Sequence, residues 1–289
     1  RLERGHRERE PNEQGYDGDH ASSVGRISER PPSGVRPPTQ LPRAAAPPAP
    51  RLMDGPENPA PFPWLLGSDE PAEVWLDGVM EPAWVIEAYR RGFFPWPVDE
   101  RLAWWCPHER LVFDPPAPRL SRSALRSMRR QGWRVTLDQA TPQVIAACRD
   151  ARGPGRDGTW ITPDIAATYA HLAGQGLVHS CEVWEGETLV GGVYGLSLGR
   201  AFFGESMFHD RTDASKVAVG VLAAWLDHQG FDLFDGQVEN EHLVSLGGSL
   251  VTRDAYLARL ERSLEAPTVL GPWELELEPA DLVQRFRAR

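Results

Sequence analysis

From about residue 80 onward the apolar positions of this chain fall into two spacings, one helical and one strand-like. Met80–Gly92 repeats apolar residues every three or four positions and predicts a short helix, with Pro82 in its first turn and Gly92 as its stop. The same rhythm predicts helices over Ser121–Gln131, Pro142–Asp150 and Pro163–Ala173, with Trp133–Leu137 extended. The next stretch is strand-rich. Ser180–Trp184 and Thr188–Leu198 meet at Glu185-Gly186-Glu187, a hairpin-like turn, and Arg200–Phe208 follows. A long helix, Ala214–Gln229, closes at Gly230. After it come a strand over Phe231–Val238, a helix from Glu241, and a last helix from Asp254 to Leu264. Phe93-Phe94-Pro95-Trp96 and Trp104-Trp105-Cys106-Pro107, dense in aromatics and proline, read as irregular. Several antiparallel strands, then helix, strand, helix, make an α+β arrangement rather than regular βαβ alternation. No internal repeat is evident.

Residues 1–60 break the pattern. They hold 11 of the 27 prolines and a single aromatic, Tyr16, and their nine Arg balance nine Asp plus Glu. Such a segment buries too little apolar surface to offset its chain entropy, so a disordered, proline-rich tail is expected. A small N-terminal domain over 61–125 and a larger catalytic domain over 126–289 are expected to follow.

At 289 residues and 41% apolar, the chain can build one or two sizeable cores. A net charge of −10, carried by the residues after the tail, argues against a general electrostatic nucleic-acid binder. No apolar run approaches the roughly 18 residues of a membrane span, and no secretory leader is visible, so a soluble, cytoplasmic protein is expected. Cys106, Cys148 and Cys181 are odd in number and lack metal-binding spacing. Walker and zinc-hydrolase signatures are absent. Gly153–Gly158 spells a dinucleotide fingerprint but follows a helix, and Gly195-Leu196-Ser197-Leu198-Gly199 spells an esterase elbow but joins two strands. A reaction without metal or cofactor fits best.

The candidate chemistry sits where polar groups interrupt apolar strands. Glu205 lies within Phe203-Gly204-Glu205-Ser206-Met207-Phe208, and Asp235 and Gln237 share one face of the next strand. Burying an unpaired charge costs several kcal/mol, roughly, so either these groups reach water at a strand edge or they face a polar ligand. Lys216 is the chain's single lysine, in the first turn of the long helix, where it is either solvated or paired with phosphate or carboxylate. Arg119, Arg122, Arg126, Arg129, Arg130 and Arg134 occupy a window free of acidic residues, and positions 122, 126, 129 and 130 form a helical stripe. In an acidic protein such a stripe suits an RNA backbone; the alternative is a solvated helix face. Trp96, Trp104, Trp105 and Trp160 are expected in exposed loops, where indoles can stack unpaired bases.

Taken in order, the motifs resemble the leucyl/phenylalanyl-tRNA–protein transferase family. The matching pieces are Glu87–Trp96, Trp104–Pro107, Gly158-Thr159-Trp160-Ile161-Thr162, Glu182-Val183-Trp184, Leu189–Gly195, Phe203–Phe208, Ala214-Ser215-Lys216, Asp235-Gly236-Gln237-Val238 and Ser245-Leu246-Gly247. They cover roughly residues 75–260. The resemblance implies transfer of leucine or phenylalanine, with methionine as a further candidate, from aminoacyl-tRNA to a protein or peptide whose N-terminus is Arg or Lys. The product carries a degradation signal. It also implies a larger domain similar to the acyltransferase (GNAT-type) fold that elsewhere binds acetyl-CoA; a monomer is expected.

By the same resemblance, Gln237 contacts the attacking amine, Asp235 orients Gln237 and stabilises developing positive charge, and Glu205 holds an ammonium. Trp96 and Trp160 match tryptophans near the tRNA 3′-terminal adenosine. Tyr169 and Lys216 fall among the substrate-binding positions, and the arginine window grips the acceptor stem. Val193, Met207, Val219 and Leu222 map to the pocket for the transferred side chain. Departures occur at Val193, Leu222 and Gly236, where methionine, phenylalanine and cysteine are common, and at Leu76–Pro82. Two other readings remain. One is a CoA-dependent N-acetyltransferase, which the lack of a phosphate loop before the long helix opposes. The other is a non-catalytic RNA-binding protein, which leaves Glu205, Asp235 and Gln237 unexplained.

Overall fold

A computed structural model of the chain describes residues 74–76, 78–97, 101–114, 120–151 and 160–275. The expected tail, Arg119 and the Gly153–Gly158 string lie outside the described residues.

A small antiparallel sheet contains β1 (Val74–Leu76), β2 (Phe94–Pro95) and β3 (Ala103–Trp105), in the order β1-β3-β2. This corrects the expectation of irregular aromatic loops. Phe94 pairs with Trp105 and Pro95 with Trp104. Pro95 is tolerated because β2 is the sheet's edge, where a missing N–H leaves no partner unsatisfied. Trp104 and Trp105, expected to be exposed, are buried. Packing the indoles across the ladder removes more apolar surface from water than a loop could.

The large sheet has seven strands: β4 (Glu109–Phe113), β5 (Arg134–Leu137), β6 (Val178–Glu185), β7 (Thr188–Leu198), β8 (Ala201–His209), β9 (Leu233–Gln237) and β10 (Ser249–Thr252). They are ordered β10-β4-β9-β8-β7-β6-β5, antiparallel throughout except for the parallel pair β8–β9. The expected strands are found, and β4 and β10 are added. β4 is five residues long, and β10 is a partly exposed edge, so neither gives a marked period. β4 lies between β9 and β10, so the segment expected as a small N-terminal domain contributes a strand to the large sheet, and residue 125 falls inside a helix.

Helices cover both faces of this sheet. They are α1 (Pro82–Arg90), α2 (Arg122–Gln131), α3 (Thr141–Asp150), α4 (Pro163–Gly174), α5 (Ala214–His228), α6 (Glu241–Ser245) and α7 (Arg253–Leu264). Ser121, Thr162 and Thr252 cap α2, α4 and α7 through side-chain oxygens that accept backbone N–H groups, as the sequence spacing allows. On one face Leu125 and Met128 of α2 and the apolar side of α5 pack with Val193 and Phe202. On the other, Tyr89, Val144, Tyr169 and Leu260, from α1, α3, α4 and α7, pack with Tyr194 and Phe203. Neighbours on a strand thus enter opposite cores, which is why β7 is buried continuously from Val190 to Leu198 and reads as an unbroken apolar run.

One irregularity positions the site. Along β7 and β8, Tyr194 pairs with Ser206 but Gly195 pairs with Gly204, so Glu205 is the extra residue of a β-bulge. The alternation slips there. Phe203 belongs to one core, and Met207, four residues on, packs against the other. The bulge brings backbones close. A Cβ on Gly195 would stand 2.2 Å from the Phe203 carbonyl oxygen, so that position admits only glycine.

Candidate active site

The parallel ladder between β8 and β9 runs from Ala201↔Leu233 to Phe203↔Asp235. Just beyond its end, Glu205 and Gln237 approach each other from the two strands, and Gln237 Nε2 donates to Glu205 Oε1 at 3.3 Å. The separate polar interruptions of two apolar strands therefore converge. Glu205 keeps 9% of its surface exposed and Gln237 6%, so both are almost wholly buried.

Glu205 is held by two tyrosines from the helices beneath it. Tyr89 Oη donates to Oε1 at 2.6 Å and Tyr169 Oη to Oε2 at 3.1 Å, and the two hydroxyls lie 2.7 Å apart. Burial pushes the Glu205 carboxyl up to about 7; the hydrogen bonds from Tyr89, Tyr169 and Gln237 oppose that rise. Burial, and then the neighbouring Glu205, raises the pKa of both tyrosines, so they remain donors. Tyr169, a substrate-binding position by the resemblance, is brought against Glu205. Tyr89 lies inside the first matching motif, but nothing in its helical spacing distinguishes it from an ordinary core residue.

Asp235 is fully buried, and its oxygens are occupied. Arg110 Nε donates to Oδ1 at 2.8 Å and Arg110 Nη2 to Oδ2 at 2.6 Å; Tyr256 Oη donates to Oδ2 at 2.8 Å. The backbone N–H of Gln237 donates to Oδ1 at 2.7 Å. This contact holds Gln237 at φ 62, the left-handed region that a non-glycine residue enters at a cost of about 1 kcal/mol or more. Asp235 therefore orients Gln237 through its backbone. The Asp235 carboxylate is already neutralised by the Arg110 guanidinium, its partner in a buried ion pair. Burial alone would lower the Arg110 pKa; Asp235 outweighs it and holds the cation charged. Arg110 and Tyr256 were not legible as site residues, since their partner lies 125 and 21 residues away. Gly236 faces the other way, where a Cβ would meet Leu111 Cδ2 at 2.5 Å, so Leu111 fills the space that a larger residue would need.

Trp96 and Trp160 are half-buried and stack on each other, with ring centroids 6.1 Å apart and planes 16° from parallel. They form an aromatic wall beside the small sheet. Val193, Val219 and Leu222 lie together in the core under α5, almost wholly buried, and only Met207 at its edge is partly exposed. Met207 pairs directly with Val193.

Arg122, Arg126, Arg129 and Arg130 line an open depression of about 510 Å³ on the solvent side of α2. Arg134 is not part of it: it begins β5 and stacks on Trp184, 5.1 Å from the ring centroid. Lys216 is partly exposed and donates to Asp213 Oδ1 at 3.1 Å; Ser127 of α2 donates to the other oxygen of Asp213. The first turn of α5 thus adjoins the arginine stripe. Cys106, Cys148 and Cys181 are buried and form no disulfide, and burial pushes the Cys148 thiol up to about 12, so it is unreactive. Ser197 is buried within β7, not poised on an elbow. Among the described residues no group of three or more His, Cys, Asp or Glu side chains could hold a metal, and no helix is long and apolar enough to cross a membrane.

The family model described as "Leucyl/phenylalanyl-tRNA protein transferase" matches residues 112–261, and its N-terminal domain model matches residues 78–108. The chain is 47% identical to the "Leucyl/phenylalanyl-tRNA--protein transferase" of Anaeromyxobacter dehalogenans (strain 2CP-C) over 222 residues, covering 76% of this chain and 95% of that relative. The proteins of the same name from Aromatoleum aromaticum and Shewanella sediminis are 44% and 42% identical, covering 78% and 74% of this chain and 99% and 90% of their own. Among solved structures, L-PGS from Bacillus licheniformis aligns with 63% of this chain and 65% of its own at 16% identity and a TM-score of 0.31, too loose a likeness to assign the fold. With both family models matched in order across the two sheets and the Glu205–Gln237 pair, the chain belongs to the leucyl/phenylalanyl-tRNA–protein transferase family, a family of aminoacyltransferases.

Proposed function

We propose that this protein takes leucine or phenylalanine from the 3′ end of its charged tRNA and joins it to the α-amine of a protein that begins with Arg or Lys, creating a degradation signal. The observation that carries the reading is the hydrogen bond between Gln237 Nε2 and Glu205 Oε1 across the gap beyond the β8–β9 ladder. It anchors the amide through its NH₂ group and leaves the Gln237 carbonyl oxygen available to accept from an attacking amine.

The reaction balances without another reactant. The acceptor nitrogen attacks the ester carbonyl, the bond to the ribose 3′ oxygen breaks, and the proton lost by nitrogen ends on that oxygen. The enzyme's task is alignment and proton removal. Glu205, when ionised, receives the aminoacyl group's own ammonium, with Tyr89 and Tyr169 holding the carboxylate. Asp235 fixes Gln237. The Trp96–Trp160 wall stacks the terminal adenosine on its exposed face, since the two indoles already occupy the space between them. Val193, Met207, Val219 and Leu222 receive the transferred side chain, with Met207 as the adaptable entrance. Arg122, Arg126, Arg129 and Arg130, with Lys216 beside them, bind acceptor-stem phosphates.

The finer fold assignment, a GNAT-type catalytic domain after a small N-terminal one, belongs to the same proposal. We place the division near residue 108, between the two family models and ahead of β4, rather than at 125.

The test uses purified protein, radiolabelled Leu-tRNA and an Arg-initiated peptide, with no nucleotide added. Labelled peptide should form. Gln237→Ala and Asp235→Ala should each slow transfer by about 100-fold or more while Leu-tRNA binding persists. No transfer by the wild type refutes the function; full activity in both variants refutes the roles.

A further inference from the structure

Arg110 is buried at the place where the two sheets meet, and each arm of its guanidinium is committed. Nε and Nη2 form the fork on Asp235, and Nη1 donates to the carbonyl of Gly92 at 3.0 Å. The guanidinium carbon lies 4.5 Å from the ring centroid of Phe94 and 4.5 Å from that of Tyr256. Gly92 lies in the turn from α1 into β2, Phe94 begins β2, and β2 leads directly into Trp96. On the other side, the same Asp235 oxygen that meets Nε receives the backbone N–H of Gln237. One planar cation is thus joined at once to the strand that presents Trp96 and to the carboxylate that fixes Gln237.

We propose that Arg110 is a positioning residue for aminoacyl transfer, setting the placement of the Trp96 wall relative to the Gln237 amide and so of the donor's terminal adenosine relative to the acceptor amine. The inference rests on the proposed function. The chemistry favours arginine over a mere counter-ion. A lysine would neutralise Asp235 equally well, but only the guanidinium carries donors in a fixed plane that can satisfy a carboxylate and a backbone carbonyl in set directions. A buried ion pair is weak evidence for stability, because desolvation offsets much of the attraction. Alignment is a better account of its presence, since a misplacement of about 1 Å can slow a reaction by about 100-fold.

The test is a double-variant cycle on leucine transfer to an Arg-initiated peptide, using wild type, Arg110→Lys, Gln237→Ala and the combination, each well below its melting temperature. Arg110→Lys should lower kcat by about 10- to 100-fold. It should leave the KM for Leu-tRNA within about threefold, because the phosphate-binding stripe on α2 is untouched. The combined variant should be no slower than Gln237→Ala alone, because the fork acts through that amide. Losses that multiply in the combined variant, or an undiminished kcat in folded Arg110→Lys, would overturn the proposal. Where Arg110→Lys does not fold, Tyr256→Phe replaces it in the cycle. That change removes one hydrogen bond to Asp235 and keeps the charges and the ring. A several-fold loss that vanishes against Gln237→Ala supports the proposal, and no loss or a multiplying one refutes it. A wild type that transfers no leucine instead refutes the function itself, so the two failures are distinct.

Discussion

Replacing Glu205 by glutamine should make the protein more stable and less active. The carboxyl is held at about 7, raised from 4.5 chiefly by burial and only partly offset by Tyr89, Tyr169 and Gln237. Because the folded value lies above the unfolded one, the carboxyl's contribution is fully favourable below about pH 4.5. It is lost progressively as pH rises to about 7 and is constant above that. The raised pKa corresponds to about 3 kcal/mol of stability forgone by the ionised form. Glutamine is neutral and can keep the network: its oxygen accepts from Tyr89 and Gln237, and its NH₂ donates to Tyr169. At pH 8 the Glu205→Gln protein should therefore exceed wild type by up to about 3 kcal/mol, raising the melting temperature by about 6–12 °C for a domain of this size. At pH 4.5 the difference should close. Urea unfolding followed by tryptophan fluorescence at several pH values reads both. A variant no more stable than wild type at pH 8, or a gap that does not change with pH, refutes the account of Glu205 as a carboxylate ionised at the protein's expense. The same variant should lose leucine transfer, since an amide cannot hold the substrate ammonium as an anion would.

Charge reversal of Arg126 and Arg129 should raise the Kd for Leu-tRNA and flatten its salt dependence by about 0.7–0.9 in log–log slope for each phosphate no longer neutralised; an unchanged slope counts against the stripe as the phosphate site. Trp160→Ala should weaken binding of a 3′-aminoacyl-adenosine analogue by about 1–3 kcal/mol without altering the salt slope, and equal affinity by titration calorimetry would remove the wall from the donor site. Gly195→Ala should destabilise the fold by about 1–3 kcal/mol, seen as a lower urea midpoint, because its methyl group meets the Phe203 carbonyl across the bulge; a wild-type midpoint would mean that the bulge can relax.

Most helices and the central strands were legible because they rest on local rules. Stop signals such as Gly92 and Gly230 and apolar spacing on α2 and α5 act within a few residues. The anomaly of Glu205, Asp235 and Gln237 was legible too, since a charge or amide in an apolar strand has a cost that something must offset. The arginine stripe followed from helical spacing, whereas Arg134, in the same basic window but on the following strand, lies over the face of Trp184.

What the sequence by itself determined is which segments become helix or strand and which polar groups do not belong in a core. Only the tertiary structure decided what those groups meet. Arg110 finds Asp235 because β4 docks between β9 and β10, a pairing between residues 125 positions apart that no local period encodes. The aromatic runs became strands because Trp104 and Trp105 could be buried against Pro95 and Phe94 across a ladder. Glu205 turns to its tyrosines while Met207 faces the other core because β8 carries one more residue than β7 at that point. Pairing and register are set by long-range burial and by which partner can compensate a buried charge, and those energies exist only once the chain has folded.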